Sequence, residues 1–202
     1  MNSQDKIRKT HGLELNPACY PVLAAVAEGP IHGYDVCRKL ASEIGPLWSL
    51  GKSHVYALLL QLEKAGLVKH RRVGQESYPP KNVFSITRKG VDVLERWASQ
   101  PVYHIRDMRL EFPAKLWIAG RTSIDRQTEL INRQMELCED KRARLESQKQ
   151  QVSNSVSGLS LDFRLAVVNA AISWLASLKN VIRDTKEGSR SPAETITASG
   201  NP

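Results

Sequence analysis

A chain of 202 residues has room for one large domain or two small ones, and its 41% hydrophobic content is enough to bury a core. No uninterrupted apolar run approaches the ~20 residues a membrane span requires, and the first sixteen residues hold no apolar h-region, so neither a membrane anchor nor a secretory signal is predicted and the cytoplasm is the expected compartment. The net charge of +8 excludes little alone, since nucleic acid, anionic lipid and the ribosome all attract cations.

In chain order, a first helix is predicted from about Asn16 to Glu28, or from nearer Cys19 if Pro21 occupies its first turn. Val22, Leu23 and Val26 share its apolar face, and Gly29-Pro30 stops it. A second helix is predicted from about His32 to Ile44, where Val36, Cys37, Leu40, Ala41 and Ile44 recur at helical spacing, with Gly45-Pro46 ending it. A third runs from about Lys52 to Ala65, burying Val55, Leu58, Leu59 and Leu62, with Gly66 as its stop. From Leu67 to Val73 the period shortens to that of a strand. GQESYPPKN reads as a loop, and Val83 to Ile86 as a returning strand. Thr87 then caps a fourth helix through Val91, Leu94 and Trp97.

Charge follows this order. Between Lys64 and Lys89 stand seven Lys or Arg (Lys64, Lys69, Arg71, Arg72, Lys81, Arg88, Lys89) against one acid, Glu76. Three short helices followed by a cationic hairpin is the order of a winged helix-turn-helix. A helix can enter the major groove and reach base edges, while a cationic hairpin can straddle the neighbouring backbone, where charge fixes position without reading sequence. With the apolar residues of the third helix facing inward, Lys52, Ser53, His54, Ala57 and Gln61 lie toward the groove, and Arg71, Arg72 and Lys81 lie on the wing. Tyr56 is open between core packing and a hydrogen bond to phosphate.

Three segments carry a family resemblance: Glu28-Gly29-Pro30 with His32-Gly33-Tyr34; Val55-Tyr56 running to Leu62-Glu63-Ala65-Gly66-Leu67-Val68; and Pro80-Lys81 running to Phe84-Ser85-Ile86-Thr87-Gly90. Together, over residues 18–98, they resemble the PadR-like transcriptional regulators, and RLEFPAKLWIA (109–119) resembles the start of that family's C-terminal helical region. One departure stands out: many relatives carry Ser-Pro-Gly-Thr before the recognition helix, where this chain has Gly51-Lys52-Ser53-His54, so base-contact roles and operator sequence do not transfer. The resemblance implies a homodimer, usually a repressor of double-stranded operator DNA, which in some members is released by a small molecule.

Beyond residue 120, Ile124, Ile131, Cys138, Leu145 and Val152 recur every seven residues. Gln127, Gln134, Lys141 and Gln148 occupy the companion core position, so this helix is expected to lie against other helices. The last helix, Leu161 to about Lys186, offers two stripes: Leu161, Leu165, Val168, Ile172, Leu175 and Ile182, and on another face Phe163, Val167, Trp174, Leu178 and Val181. A helix apolar all round must be buried, and dimerisation is the economical way to cover both faces. The alternative is a helix folded wholly into its own chain. The expected layout is thus mainly α with a small β-hairpin wing: a winged helix-turn-helix over 1–100, a helical dimerisation domain over 101–186, and a disordered tail over 187–202.

Other residues invite sharper readings. Cys19, Cys37 and Cys138 lie in apolar-patterned segments and read as reduced, packed thiols. His11, His32, His54, His70 and His104 show neither close pairing nor a cysteine at ligand spacing, so no metal and no cofactor is expected; His32 suits helix-start packing and His54 suits DNA. Trp97, Trp117 and His104 are the candidates for sensing a small aromatic or lipophilic effector, although aromatics at helical spacing are more often core. No phosphate loop, nucleophile elbow or carboxylate pair marks an enzyme. A protein-binding winged helix on a helical dimer is the competing reading, and a basic wing in a segment with seven cations against one acid disfavours it.

Overall fold

The computed structural model describes residues 15–75, 78–152 and 156–188. The chain divides into two compact units, Met1–Thr122 and Ser123–Pro202. The first contains α1 (Cys19–Ala27), β1 (Ile31–His32), α2 (Gly33–Glu43), α3 (Lys52–Lys64), β2 (Val68–Gln75), β3 (Tyr78–Ile86), α4 (Arg88–Ser99), a 3-10 turn (Ile105–Arg109) and α5 (Glu111–Gly120). This is the expected winged helix-turn-helix, with a third strand added.

α1 starts at Cys19 because Asn16 and Pro17 make a turn: the Asn16 side chain accepts from the Ala18 amide at 2.9 Å, and its carbonyl accepts from that of Cys19 at 2.8 Å. Pro21 therefore falls in the first turn, where its missing N–H costs nothing. Cys19, Val22, Leu23, Ala24, Ala25 and Val26 are all buried, making α1 the axis around which α2, α3, α4 and the sheet pack. β1 was not foreseen. Ile31 and His32 pair with Phe84 and Val83 instead of opening α2, so the sheet has the order β1-β3-β2.

The strands are also longer than the alternation indicated, reaching Gln75 and Tyr78 across what reads as a loop. Proline normally ends a ladder by withholding a donor. Neighbouring residues turn their amide positions to opposite edges, so one of Pro79 and Pro80 faces the edge beyond the β1 pairs at Phe84 and Val83, and the other falls at the register shift between Val73 and Gln75.

Helix, wing and α4 are locked at one junction. Gly66 sits at φ +70°, donating to Glu63 at 2.8 Å while Leu67 donates back to Leu62 at 2.9 Å, the paired closure that a left-handed residue allows. Thr87 caps α4 by accepting from the Gly90 amide at 3.1 Å, and its hydroxyl lies 2.8 Å from the Gly66 carbonyl oxygen. A Cβ on Gly90 would stand 2.2 Å from the Leu67 carbonyl oxygen, so the approach of α4 to this turn requires glycine.

The compact units meet at 122/123, where the sequence reading puts a domain boundary at 100/101. α5 belongs to the first unit because Ile118 is buried in its core cluster and Trp117 packs against it. In the second unit α6 (Ile124–Gln150) packs along α7 (Val156–Gly188). Ile131, Cys138 and Leu145 are buried as the seven-residue repeat predicts, and Gln134 is buried among them. On α7 the stripe Leu161, Val168, Leu175 is buried, while Phe163 and Val181 of the second stripe are 71% and 62% exposed. By length and composition α7 could cross a membrane over Val156–Asp184, contrary to the expectation that no segment qualifies. A search for unbroken apolar runs misses it because Asn169, Ser173, Ser177, Lys179 and Asn180 interrupt the helix. Of the tail assigned to 187–202, residues 189–202 lie outside the described residues, as does His11.

Candidate nucleic-acid interface

The third helix turns Val55, Leu58, Leu59 and Leu62 inward, as their spacing predicts. Its opposite face carries Ser53, Ala57, Leu60 and Lys64, all exposed, at steps of four, three and four that keep them on one line. Lys52 and His54 are exposed at the N-terminal turn, and the Lys52 ammonium lies 5.4 Å from the Tyr34 ring, itself 57% exposed at the start of α2.

Tyr56 packs on one side and is open on the other. Its ring covers Gly33, where a Cβ would stand 2.7 Å from Cε1, yet the residue remains 42% exposed beside Lys52 and Tyr34. Burial first, and then the proximity of Cys37 and Asp35, raise its pKa, so the hydroxyl keeps its proton and can donate. Gln61 is exposed, but its Oε1 accepts from the buried Cys19 thiol at 3.5 Å, which turns its carboxamide oxygen toward α1.

On the wing Arg71 and Arg72 are both exposed, opposite Val83 and Asn82. Alternate strand residues face opposite ways. Arg72 therefore leaves the sheet on the face of His70 and Phe84, and Arg71 on that of Lys69 and Val83. Lys81 stands opposite Val73 in β3, and its side chain lies outside the described residues.

Three exposed residues of this surface and one contact beside it were missed. Leu60 and Lys64 face outward by the same helical arithmetic that picked out Ser53 and Ala57, so their signal was available. Tyr34 had none, because its place depends on how α2 meets α3. Neither had the contact of His70 Nδ1 with Glu63 Oε1 at 2.6 Å, which ties β2 to α3 across the Gly66 turn.

The three effector candidates are engaged by the protein itself. Tyr20 stacks on Trp97 at 4.2 Å, and the buried Lys115 ammonium lies 4.7 Å from the same ring while donating to the Gln100 carbonyl at 2.8 Å and pairing with Glu111 at 3.2 Å. The Trp117 indole donates to Glu43 of α2 at 3.2 Å, and the Arg121 guanidinium lies 4.9 Å from its ring. Arg121 also pairs with Glu43 and Glu28, and Lys39 with Glu28. His104 meets Tyr103 edge-on at 5.2 Å. His32 occupies the N-cap position of α2 without a side-chain cap bond, and its buried Nδ1 has no hydrogen-bond partner among the described residues. Among the described residues no three His, Cys, Asp or Glu side chains gather as a metal site.

Residues 22–96, from within α1 through most of α4, match the model of the transcriptional regulator PadR-like family. This segment is similar to a PadR-like domain. Along its length the chain is similar to the negative transcriptional regulator PadR of Bacillus subtilis, with 24% identity over 174 residues, covering 81% of this chain and 96% of that one. Among solved structures it is similar to Bacillus subtilis PadR in complex with operator DNA, at a TM-score of 0.41 and 24% identity, covering 83% of this chain and 99% of that one. It is also similar to the same protein in complex with p-coumaric acid, at a TM-score of 0.38 and 23% identity, with the same coverage. The matched segment includes α3, β2, β3 and Thr87, and ends just before Trp97.

Proposed function

We propose that this chain is a homodimeric repressor that holds double-stranded operator DNA through α3 and the wing, acts in the cytoplasm, performs no chemistry of its own, and is released by a small aromatic or lipophilic effector. The observation that carries the reading is the outer face of α3. A helix presenting Ser53, Ala57 and Lys64 outward, flanked by Lys52, Tyr56 and the wing cations, matches a groove lined with base edges and bordered by phosphates. The PadR-like domain and the resemblance to a negative regulator support repression.

Dimerisation is supported by the uncovered stripe of α7, where Phe163, Trp174 and Val181 stand exposed on a helix whose other stripe is buried. We assign the interface to Ser123 onward, and a second copy, not a bilayer, as what covers the stripe. Trp97, Trp117 and His104 remain the residues assigned to effector sensing, since Trp117 contacts Glu43 of the helix-turn-helix directly.

The test is to sequence the genomic fragments that the full-length protein retains, with and without p-coumaric acid and related phenolics. Recovery of a two-fold symmetric sequence, lost in the presence of one compound, is the expected result. Equal retention of all fragments would overturn specific operator binding.

A further inference from the structure

We propose that Leu60 is a base-reading residue, and that what it reads is the 5-methyl group of thymine. The proposal rests on the DNA-binding reading of α3 and specifies what that helix recognises. Leu60 is 55% exposed at the middle of the line Ser53, Ala57, Leu60, Lys64, while every other leucine of α3 is buried. Isolated exposed leucines are common and need no explanation. This one differs in its setting, at the centre of the face the cations flank and on the surface that meets the groove.

A leucine side chain neither donates nor accepts a hydrogen bond, so it cannot distinguish the amino, carbonyl and ring-nitrogen groups of base edges. Thymine alone among the bases adds an apolar group to the major groove, its 5-methyl, and small or aliphatic side chains recognise it by contact. Ala57, one turn before Leu60, leaves room beside it instead of a competing polar group. Leu60 and Ala57 thus make a short apolar strip that a methyl can enter, with Ser53 and Lys64 supplying polar contacts at its ends. A base pair presenting only polar groups there would lose hydration without replacement.

The test uses the full-length chain and a duplex operator selected from random-sequence DNA. Each thymine is replaced in turn by deoxyuridine, which lacks only the methyl, and binding is measured for wild type and Leu60→Ala. Removing one buried methyl contact should weaken wild type about fourfold in each half-site, and about fifteenfold when both half-sites carry the change. At that position Leu60→Ala should be insensitive to deoxyuridine, its affinity for unmodified operator having already fallen by a similar factor. Because Leu60 is exposed, the variant should melt with wild type, which separates lost contact from lost fold.

Three results would overturn the assignment while leaving operator binding intact: no thymine whose replacement weakens wild type, unchanged deoxyuridine sensitivity in Leu60→Ala, or full operator affinity in Leu60→Ala. A chain that enriches no sequence at all would instead overturn the DNA-binding reading and this proposal with it.

Discussion

Tyr56 and Cys19 show how one side chain's surroundings set its chemistry. Tyr56 lies against Gly33 with its hydroxyl kept protonated, which suits a donor to phosphate. Gly33→Ala would push the ring away by a side-chain movement, so the fold should survive and DNA affinity should drop. Tyr56→Phe should lose the hydrogen bond alone, about 1 kcal/mol. If both variants bind DNA as wild type does, Tyr56 is packing and nothing more. Cys19 is pushed up to about 11 by burial, against the weaker opposing effect of its backbone contact with Asn16. With the folded pKa raised, its contribution to stability is complete below about pH 9 and is lost as pH rises toward 11. At pH 8 its thiolate fraction is about a hundredfold below that of an ordinary thiol, so labelling in the native state should be slower by at least that factor. Labelling at the rate of free cysteine would show that α1 opens easily.

At the scale of elements, the closure at Gly66 and Gly90 decides where the wing stands relative to α3. Gly90→Ala would drive a Cβ into the Leu67 carbonyl, which is backbone and cannot swing aside. The expected cost is about 1–3 kcal/mol or more, read as a lowered melting temperature. A neutral effect would mean that α4 can withdraw from the turn. On the wing, the pleat sends Arg71 and Arg72 to opposite faces. Each phosphate neutralised contributes about −0.9 to the log–log salt slope, so in a homodimer with two wings one of Arg71→Ala and Arg72→Ala should flatten the slope by about 1.8 and the other should leave it unchanged. Equal flattening by both would show that the backbone wraps the wing edge. The seven-cation segment was legible from composition, but this division of labour was not, because it depends on a strand register that hydrophobic patterning reported only from Val83 onward.

For the whole molecule, the two stripes of α7 have different fates. Leu175 is buried and Phe163 exposed. Leu175→Glu should therefore damage the packing of α7 itself, whereas Phe163→Glu with Val181→Glu should leave helix content intact and convert dimer to monomer in sedimentation. Operator affinity should fall by about 10²–10⁴, the gain that linking two half-sites provides. A wild-type chain that sediments as a monomer at micromolar concentration, yet binds operator tightly, would overturn the dimeric reading. Partition of wild type into detergent, with Phe163→Glu remaining in water, would identify lipid as the occupant of that face.

Within the first hundred residues the sequence by itself determined which helices form, where they stop, the cationic hairpin and the family resemblance, because period, Gly-Pro punctuation, Thr87 and charge act over a few neighbouring residues. It also chose Ser53, Ala57 and Lys52 correctly as outward-facing, since a helix converts spacing directly into direction. Only the tertiary structure decided the rest. β1 is too short to leave a pattern and exists because Phe84 and Val83 offer an open ladder. α5 joins the first unit because its apolar face finds the α1 core, which no local signal specifies. Gln61, read as facing the groove, spends its carboxamide oxygen on Cys19, and His70 finds Glu63, through contacts between residues 42 and 7 positions apart. Such pairings depend on how packed elements meet, and packing is a property of the assembled core.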